Sequence, residues 1–391
     1  MTQPANAKRL FIAACGGIFM FGIVLALLGT LFGLPQMRER LGIDFGRQGD
    51  LFLVLYFGIF CATLTVGPSI DRFGNRAVLV ISSGLMAAAF ASFAYADSFA
   101  TAAAAAALLG LGGGGLNTST NALVSDLYQD ERGPMLNLLG IFFGFGALFM
   151  PFATAGLSQT FSIRQLLLMA AGLAVICMLA YAAMPFPPAR EKLSFSLGGM
   201  LRVARDPHVL LLGFVLFFAS GNEASVGGWI STYLGTMQMG AQTATWVLAG
   251  FWAALMIGRL LAAYILRVVP KEKFVLLTAM AAALGCGWLL AARSLPMIVA
   301  GAVLTGLAFA GVFPTVLAIA GDRYARFAGT VFGVLFAIAL VGGMTFPWAI
   351  GHMSERFGVR AGMYLPLAGS AAIAILALVV LRNPGTTDKH G

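Results

Sequence analysis

Among the 15 Asp and Glu of this 391-residue chain, Glu223 alone falls in the middle of a long apolar stretch, residues 209–235, while the others lie in polar loops or at the ends of apolar stretches. A carboxyl group in such a setting can hold a proton or, as a hard oxygen donor, a sodium ion. Asn222 precedes it and Trp229 follows less than two turns on. Asn117 and Asn121 stand four positions apart, so on a helix they share a face, and two amides on one face can grip hydroxyl groups. Asn137 adds a third amide, and Trp252 a second indole beside Trp229. An indole face stacks on the CH face of a sugar ring, whose hydroxyls need amide or carboxylate partners. His208, His352 and His390 fall at the ends of apolar stretches or in the tail. No acid pair lies near a candidate nucleophile, which argues against an enzyme and against a resident metal or cofactor.

The elements that position these groups follow from composition. The chain is 60% hydrophobic and 10% charged, with a mean hydropathy of +0.91, far from the ~45–50% apolar and ~25% charged of a soluble domain. Apolar stretches cover residues 9–34, 49–69, 77–96, 99–124, 134–158 and 165–186, then 209–235, 243–266, 274–292, 296–320, 328–351 and 362–382. Each is about the length that spans a bilayer as a helix. The fold class expected is therefore an all-α polytopic membrane protein with twelve transmembrane helices. Its expected domains are a six-helix half at 1–186, a cytoplasmic linker at 187–208 and a second six-helix half at 209–391. The first stretch is too long for a signal-peptide core and reads as an uncleaved helix. Cys15, Cys61, Cys177 and Cys286 all fall inside apolar stretches, so no disulfide framework is implied.

The formal charge of +9 is a matter of loops. Most Lys and Arg fall on the side that carries the linker and both termini, which places that side in the cytoplasm. A plasma (inner) membrane location is expected, with the lipid bilayer as the medium, no nucleic-acid partner and no obligate protein partner. A constant offset of 196 residues relates Gly110 to Gly306, Gly115 to Gly311, Asp126 to Asp322, Gly146 to Gly342, Pro151 to Pro347 and Arg164 to Arg360. The halves are thus repeats, and six spans each makes them parallel, with a solute site expected between them at the midplane.

Between spans two and three runs Gly67-Pro-Ser-Ile-Asp71-Arg72-Phe-Gly74-Asn-Arg76, a loop with the chemistry of a latch. Asp71 can accept from a helix N-terminus, Arg72 and Arg76 can pair with the acidic Asp126–Glu131 segment, and Gly74 permits a tight turn. The matching segment of the second half, Leu266 to Lys273, lacks the acid, so a latch there is expected to be weaker. Pro151 and Pro347 each remove an amide donor late in spans five and eleven and are expected to kink them near the outer end. Gly110, Gly112 and Gly115 match a dinucleotide fingerprint in letters only, since no strand precedes them; they read as small residues that let helices approach.

The Gly67–Arg76 loop and the duplicated twelve-span plan resemble the major facilitator superfamily over almost the whole chain. Gly110 to Asn121, the Leu136 to Ala147 run, Glu223 with Gly227-Gly228-Trp229, Phe251-Trp252 to Gly258-Arg259, and Gly306 to Pro314 are similar to its fucose-galactose-glucose symporter branch. Asn117 stands where that branch leads one to expect an acid. The resemblance implies secondary active uptake of a monosaccharide-like solute by alternating access, coupled to H+ or Na+. Asn117, Asn121, Asn137, Asn222, Trp229 and Trp252 would then contact solute and Glu223 would couple the ion. Proton-driven efflux of drugs or other amphipathic small molecules is the alternative. Arg259 is expected nearer the cytoplasmic end of its span, which argues against direct pairing with Glu223.

Overall fold

A computed structural model describes residues 7–129, 131–186, 203, 205–324 and 328–382. Most of the expected linker, 187–202 and 204, lies outside the described residues. The described chain is helical throughout: α1 (Ala7–Phe32), α2 (Pro35–Leu41), α3 (Phe45–Tyr95), α4 (Phe99–Leu127), α5 (Arg132–Leu157) and α6 (Ile163–Ala183), then α7 (Pro207–Thr236), α8 (Ala241–Ile265), α9 (Lys271–Ala291), α10 (Leu295–Phe309), α11 (Val312–Arg323), α12 (Ala328–Phe357), α13 (Val359–Gly362) and α14 (Tyr364–Arg382). Eleven helical stretches among the described residues are long and apolar enough to cross a bilayer. One of them, α3, has 51 residues and breaks at Gly74. At ~1.5 Å per residue it is more than twice the ~30 Å hydrocarbon thickness, so its two limbs are two spans, which makes twelve among the described residues. It is an all-α polytopic membrane protein.

Local sequence marks several helix starts. Ser98 and Thr101 form a reciprocal capping box at the start of α4, Ser162 and Gln165 form another at α6, and Asp44 caps α3 by accepting from the Arg47 amide at 2.8 Å. All four cysteines are free thiols.

The chain divides into two compact units: Met1–Leu193 with Ile230–Ala249, and Ser194–Trp229 with Gly250–Gly391. In the first unit α4 packs along both limbs of α3. The run Gly110–Gly115 makes this possible. A Cβ on Gly110 would lie 2.2 Å from the Leu55 carbonyl oxygen of the first limb, and one on Gly115 would lie 2.1 Å from Ser82 Oγ of the second. Any side chain there would push α4 off α3, so the run is a packing device.

The first unit also takes in the Ile230–Ala249 segment, the end of α7 and the start of α8. Gln48, fully buried on α3, donates through Nε2 to Thr232 Oγ1 at 3.1 Å, and Thr232 donates to the Phe32 carbonyl at 3.3 Å. Gln242 donates to the Ala155 carbonyl at 2.9 Å, and Trp246 meets Phe152 edge-on at 5.3 Å.

Within the second unit α9 packs on α10, α11 and α14. The 196-residue repeat is visible in atomic detail. Arg164 donates to the Ala94 carbonyl at 3.3 Å, and Arg360 donates to the Leu290 carbonyl at 3.2 Å, the same bond one repeat later. A Cβ on Gly146 or on Gly342 would lie 1.9 Å from a backbone oxygen, of Phe19 and Phe217 respectively. Outside each unit, Phe57, Leu64, Ile176, Leu277, Leu284 and Ile375 are exposed, as expected of helices whose outer faces meet hydrocarbon.

Candidate functional site

The middle of α7 carries the chemistry. Glycine inside a helix costs about 1 kcal/mol, yet Gly227 and Gly228 both sit here. The reason at Gly227 is contact: a Cβ would lie 2.7 Å from Cζ2 of Trp252, so α8 can bring its indole this close to α7 only at a glycine. Trp229 and Trp252 are 0% and 2% exposed, and Asn222 and Ser225 are 0% exposed. Asn222 donates through Nδ2 to Ser370 Oγ at 3.1 Å, and Ser370 donates to the Pro366 carbonyl at 2.8 Å, tying α7 to α14. Glu223 breaks this enclosed run, its side chain 17% exposed.

Arg259 on α8 meets it. Arg259 Nη2 lies 3.8 Å from Glu223 Oε1, with the arginine side chain 29% exposed. The sequence reading argued against this pairing from the position of Arg259 along its span, and the structure overturns that reading. A guanidinium on a long flexible stem covers more than a helical turn of depth, which linear position ignores.

The six residues expected to contact solute fall into two groups and a remainder. Asn222, Trp229 and Trp252 gather in the second unit, enclosed in its packing. Asn117 and Asn121 gather in the first, half-buried on α4, where Asn121 Nδ2 donates to the Asn117 carbonyl at 2.8 Å and to Asn117 Oδ1 at 3.1 Å. That pairing engages the Asn121 amide donor and both oxygens of Asn117. Asn137 is exposed on α5.

The Gly67–Arg76 segment is where α3 bends. Gly74 has φ 79° and ψ 161°, a region essentially closed to residues with a Cβ. Arg72 lies over the Phe73 ring at 5.1 Å, and Arg76 donates to the Ala182 carbonyl at the end of α6, where unpaired carbonyls favour a cation. Asp71 is half-buried near the bend, and Asp126 half-buried in the last turn of α4. The second half builds a contact that the sequence reading missed: Lys271, at the start of α9, pairs with Asp322 at the end of α11. Asp322 was visible as the repeat partner of Asp126, but its basic partner comes from the segment that lacks the acid. Both side chains are exposed, so the pair contributes little. Pro151 and Pro347 lie inside α5 and α12, which continue past them.

Where the linker meets α7, Asp206 accepts from the Tyr324 hydroxyl and from the His208 amide, each at 2.8 Å. Burial works to raise the Asp206 carboxyl, but the bonds from Tyr324 and from the His208 and Val209 amides outweigh it and hold it below its ordinary value. Tyr324 is pushed up to about 12, by burial first and then by Asp206. A group held low stabilises the fold above the ordinary carboxylate range and loses that contribution as pH falls through its folded value. Tyr324→Phe should therefore cost about 1 kcal/mol at neutral pH and progressively less in acid. Melting temperatures at both pH values check this, and an equal loss at both rejects the charged bond as its cause.

A family model described as Major Facilitator Superfamily matches residues 14–292 and 212–391. The vesicular acetylcholine transporters of Mus musculus and Rattus norvegicus are each 26% identical to this chain over 406 residues, spanning 98% of it and 74% of their own length. The solved structure of the nucleoside transporter NupG superposes with a TM-score of 0.79 at 13% identity, covering 95% of this chain and 99% of that one. A D-xylose-proton symporter gives 0.78 at 13% identity, covering 97% and 98%. At such identity these structures speak for the fold alone.

Proposed function

The chain belongs to the Major Facilitator Superfamily, and from that premise we propose that this secondary transporter takes up a monosaccharide-like solute by alternating access, coupled to H+ or Na+. One observation carries the reading. Glu223, the only acid in the interior of an apolar span, keeps an accessible side chain on a helix whose neighbouring residues are enclosed. A carboxylate is costly in hydrocarbon and marks a functional position by default; as a proton acceptor or a hard oxygen donor it can hold the coupling ion. Asn117 and Asn121 supply hydroxyl-binding amides, in keeping with the similarity to the fucose-galactose-glucose symporter branch.

In this reading the protein sits in the plasma (inner) membrane with both termini cytoplasmic. Asp71, Arg72, Gly74, Arg76 and Asp126 serve as a latch on that side, and Pro151 and Pro347 bend their helices toward the outer end. Asn222, Trp229 and Trp252 reach solute only when the packing of α7 against α8 and α14 opens.

The test is radiolabelled hexose uptake into proteoliposomes under an imposed proton or sodium gradient. Accumulation under one gradient and equilibration without it is the expected result. Neither sugar binding nor uptake under any gradient would reject the reading. The likeness to vesicular acetylcholine transporters favours a second reading, export of an amphipathic cation against protons, with Glu223 as the counter-charge. Proton-driven transport of such a cation with no response to sugars would select it.

A further inference from the structure

We propose that the cytoplasmic third of α7 flexes during transport while the matching part of α1 stays fixed, because Tyr181 bolts α1 to α6 and the second unit lacks that bolt. This rests on the alternating-access reading above and names the element that moves.

The bolt is a hydrogen bond to backbone. Tyr181 on α6 is 1% exposed, and its hydroxyl donates to the Ala13 carbonyl of α1 at 2.8 Å. A carbonyl oxygen has two lone pairs, so this bond adds to the ladder of α1 without breaking it, and α1 is helical from Ala7 to Phe32. Gly17 makes the room: a Cβ there would lie 2.4 Å from the Tyr181 oxygen and 2.8 Å from Thr120 Cγ2 of α4. Three helices meet at this point, and the directional bond fixes the depth and rotation of α1 against α6.

The repeat locates the same place in the second unit. Arg164 and Arg360 make the same bond at an offset of 196, and Gly110 and Gly306 face the Leu55 and Phe251 carbonyls at that offset too. Gly146 and Gly342 face the Phe19 and Phe217 carbonyls, which sets α1 against α7 at an offset of 198. Gly17, Thr120 and Tyr181 thereby correspond to Val215, Val316 and Ala377. Those three residues, on α7, α11 and α14, line one cavity, so the correspondence holds in space as well as along the chain. Alanine stands where the phenol would be. Val215 and Val316 fill part of the vacated space, and a cavity of about 10 Å³ remains, barely the room of one water.

The consequence falls on α7. Below the cavity Asp206 accepts from the Tyr324 hydroxyl, and above it Asn222 donates to Ser370. Between these two ties Val209 to Ala219 are Val, Leu, Gly, Phe and Ala, with no side chain that can hydrogen-bond. Apolar burial is non-directional, so helices packed through it can slide past one another, and a void withholds contacts that would resist the slide. Glu223 directly follows the upper tie, so bending below it changes access to the carboxyl from the cytoplasmic side.

The experiment is hydrogen exchange, read by mass spectrometry, on the purified full chain in lipid nanodiscs. The amides of residues 209–219 should exchange at least about fivefold faster than those of residues 11–21, the factor expected of one net hydrogen bond. Tyr181→Phe, which keeps the ring and loses the bond, should speed exchange in α1 by about the same factor and leave α7 unchanged. The double variant Val215→Gly/Ala377→Tyr installs the bolt in the second unit. It should slow exchange in α7 to the level of α1 and lower gradient-driven uptake of radiolabelled hexose about fivefold. Equal exchange in the two segments of the wild type overturns the inference, as does unchanged α1 exchange in Tyr181→Phe. Wild-type uptake by the double variant, with α7 slowed, also overturns it. Absence of hexose uptake by the wild type rejects the sugar reading and leaves this inference to the exchange data, which need no solute. Should the double variant fail to fold, the wild-type comparison and Tyr181→Phe decide the matter.

Discussion

Proteoliposomes carrying Glu223→Gln are expected to exchange solute across the membrane at equilibrium and to fail to concentrate it. Glutamine has the shape of the protonated acid and can neither take nor give up a proton, so the variant is fixed in the loaded state of the coupling step. With one proton per solute, a gradient of one pH unit supports an accumulation ratio of about tenfold, and the variant should fall to a ratio of about one. Coupling to sodium predicts the same loss under a sodium gradient, because an amide oxygen replaces a charged ligand. Measuring gradient-driven uptake beside equilibrium exchange separates this result from simple misfolding, which removes both. Accumulation like that of the wild type would take Glu223 out of the coupling role, and no other acid lies in the interior of an apolar span to replace it.

Gly342→Ala should be among the most damaging single-methyl additions in the protein. The added Cβ would lie 1.9 Å from the Phe217 carbonyl oxygen and 2.9 Å from the Phe217 Cα, both backbone atoms of α7. No rotamer change relieves contact with backbone, so α7 itself must move, less than two turns from Glu223. Overpacking typically costs about 1–3 kcal/mol and more where the neighbour cannot yield; the upper end of that range is expected here. Gly146→Ala should do the same to α1 at Phe19, one repeat earlier. Gly333→Ala provides the contrast, since a Cβ at that position of α12 meets nothing within 4 Å, and alanine in a helix interior is favoured by about 1 kcal/mol. Melting temperatures and uptake of the three variants read the outcome together. A Gly342→Ala protein that melts with the wild type would mean that α7 and α12 do not approach as described.

The sequence by itself determined the number of spans, the repeat and several helix starts, because each depends on a pattern along the chain. About twenty apolar residues between polar ones must cross a bilayer as helix, since hydrocarbon leaves no other way to satisfy the backbone. Ser98 and Ser162 cap α4 and α6 through partners three residues away, and the Gly67–Arg76 loop shows its bend in the letter Gly74. Arg164 and Arg360 were legible as a repeated pair, though their carbonyl partners, Ala94 and Leu290, carry no signal in side-chain type. The candidate site was legible only as a set of residue types, with Glu223 singled out by its solitude among the acids.

Which of those residues meet, and which are enclosed, was decided by tertiary packing. In a soluble protein the apolar face of a helix points to the core, but in a bilayer the outer face is apolar too, so hydropathy cannot say that Trp229 and Trp252 are enclosed while Trp246 is 41% exposed. Shape makes that choice: Gly227 admits the Trp252 ring, Gly258 seats α8 against α10, and the rotations so fixed bring Arg259 to Glu223. The same holds for Gln48 and Thr232, 184 residues apart and buried together. Volumes meeting in three dimensions set those contacts, and neither the periodicity nor the composition of a single helix contains them.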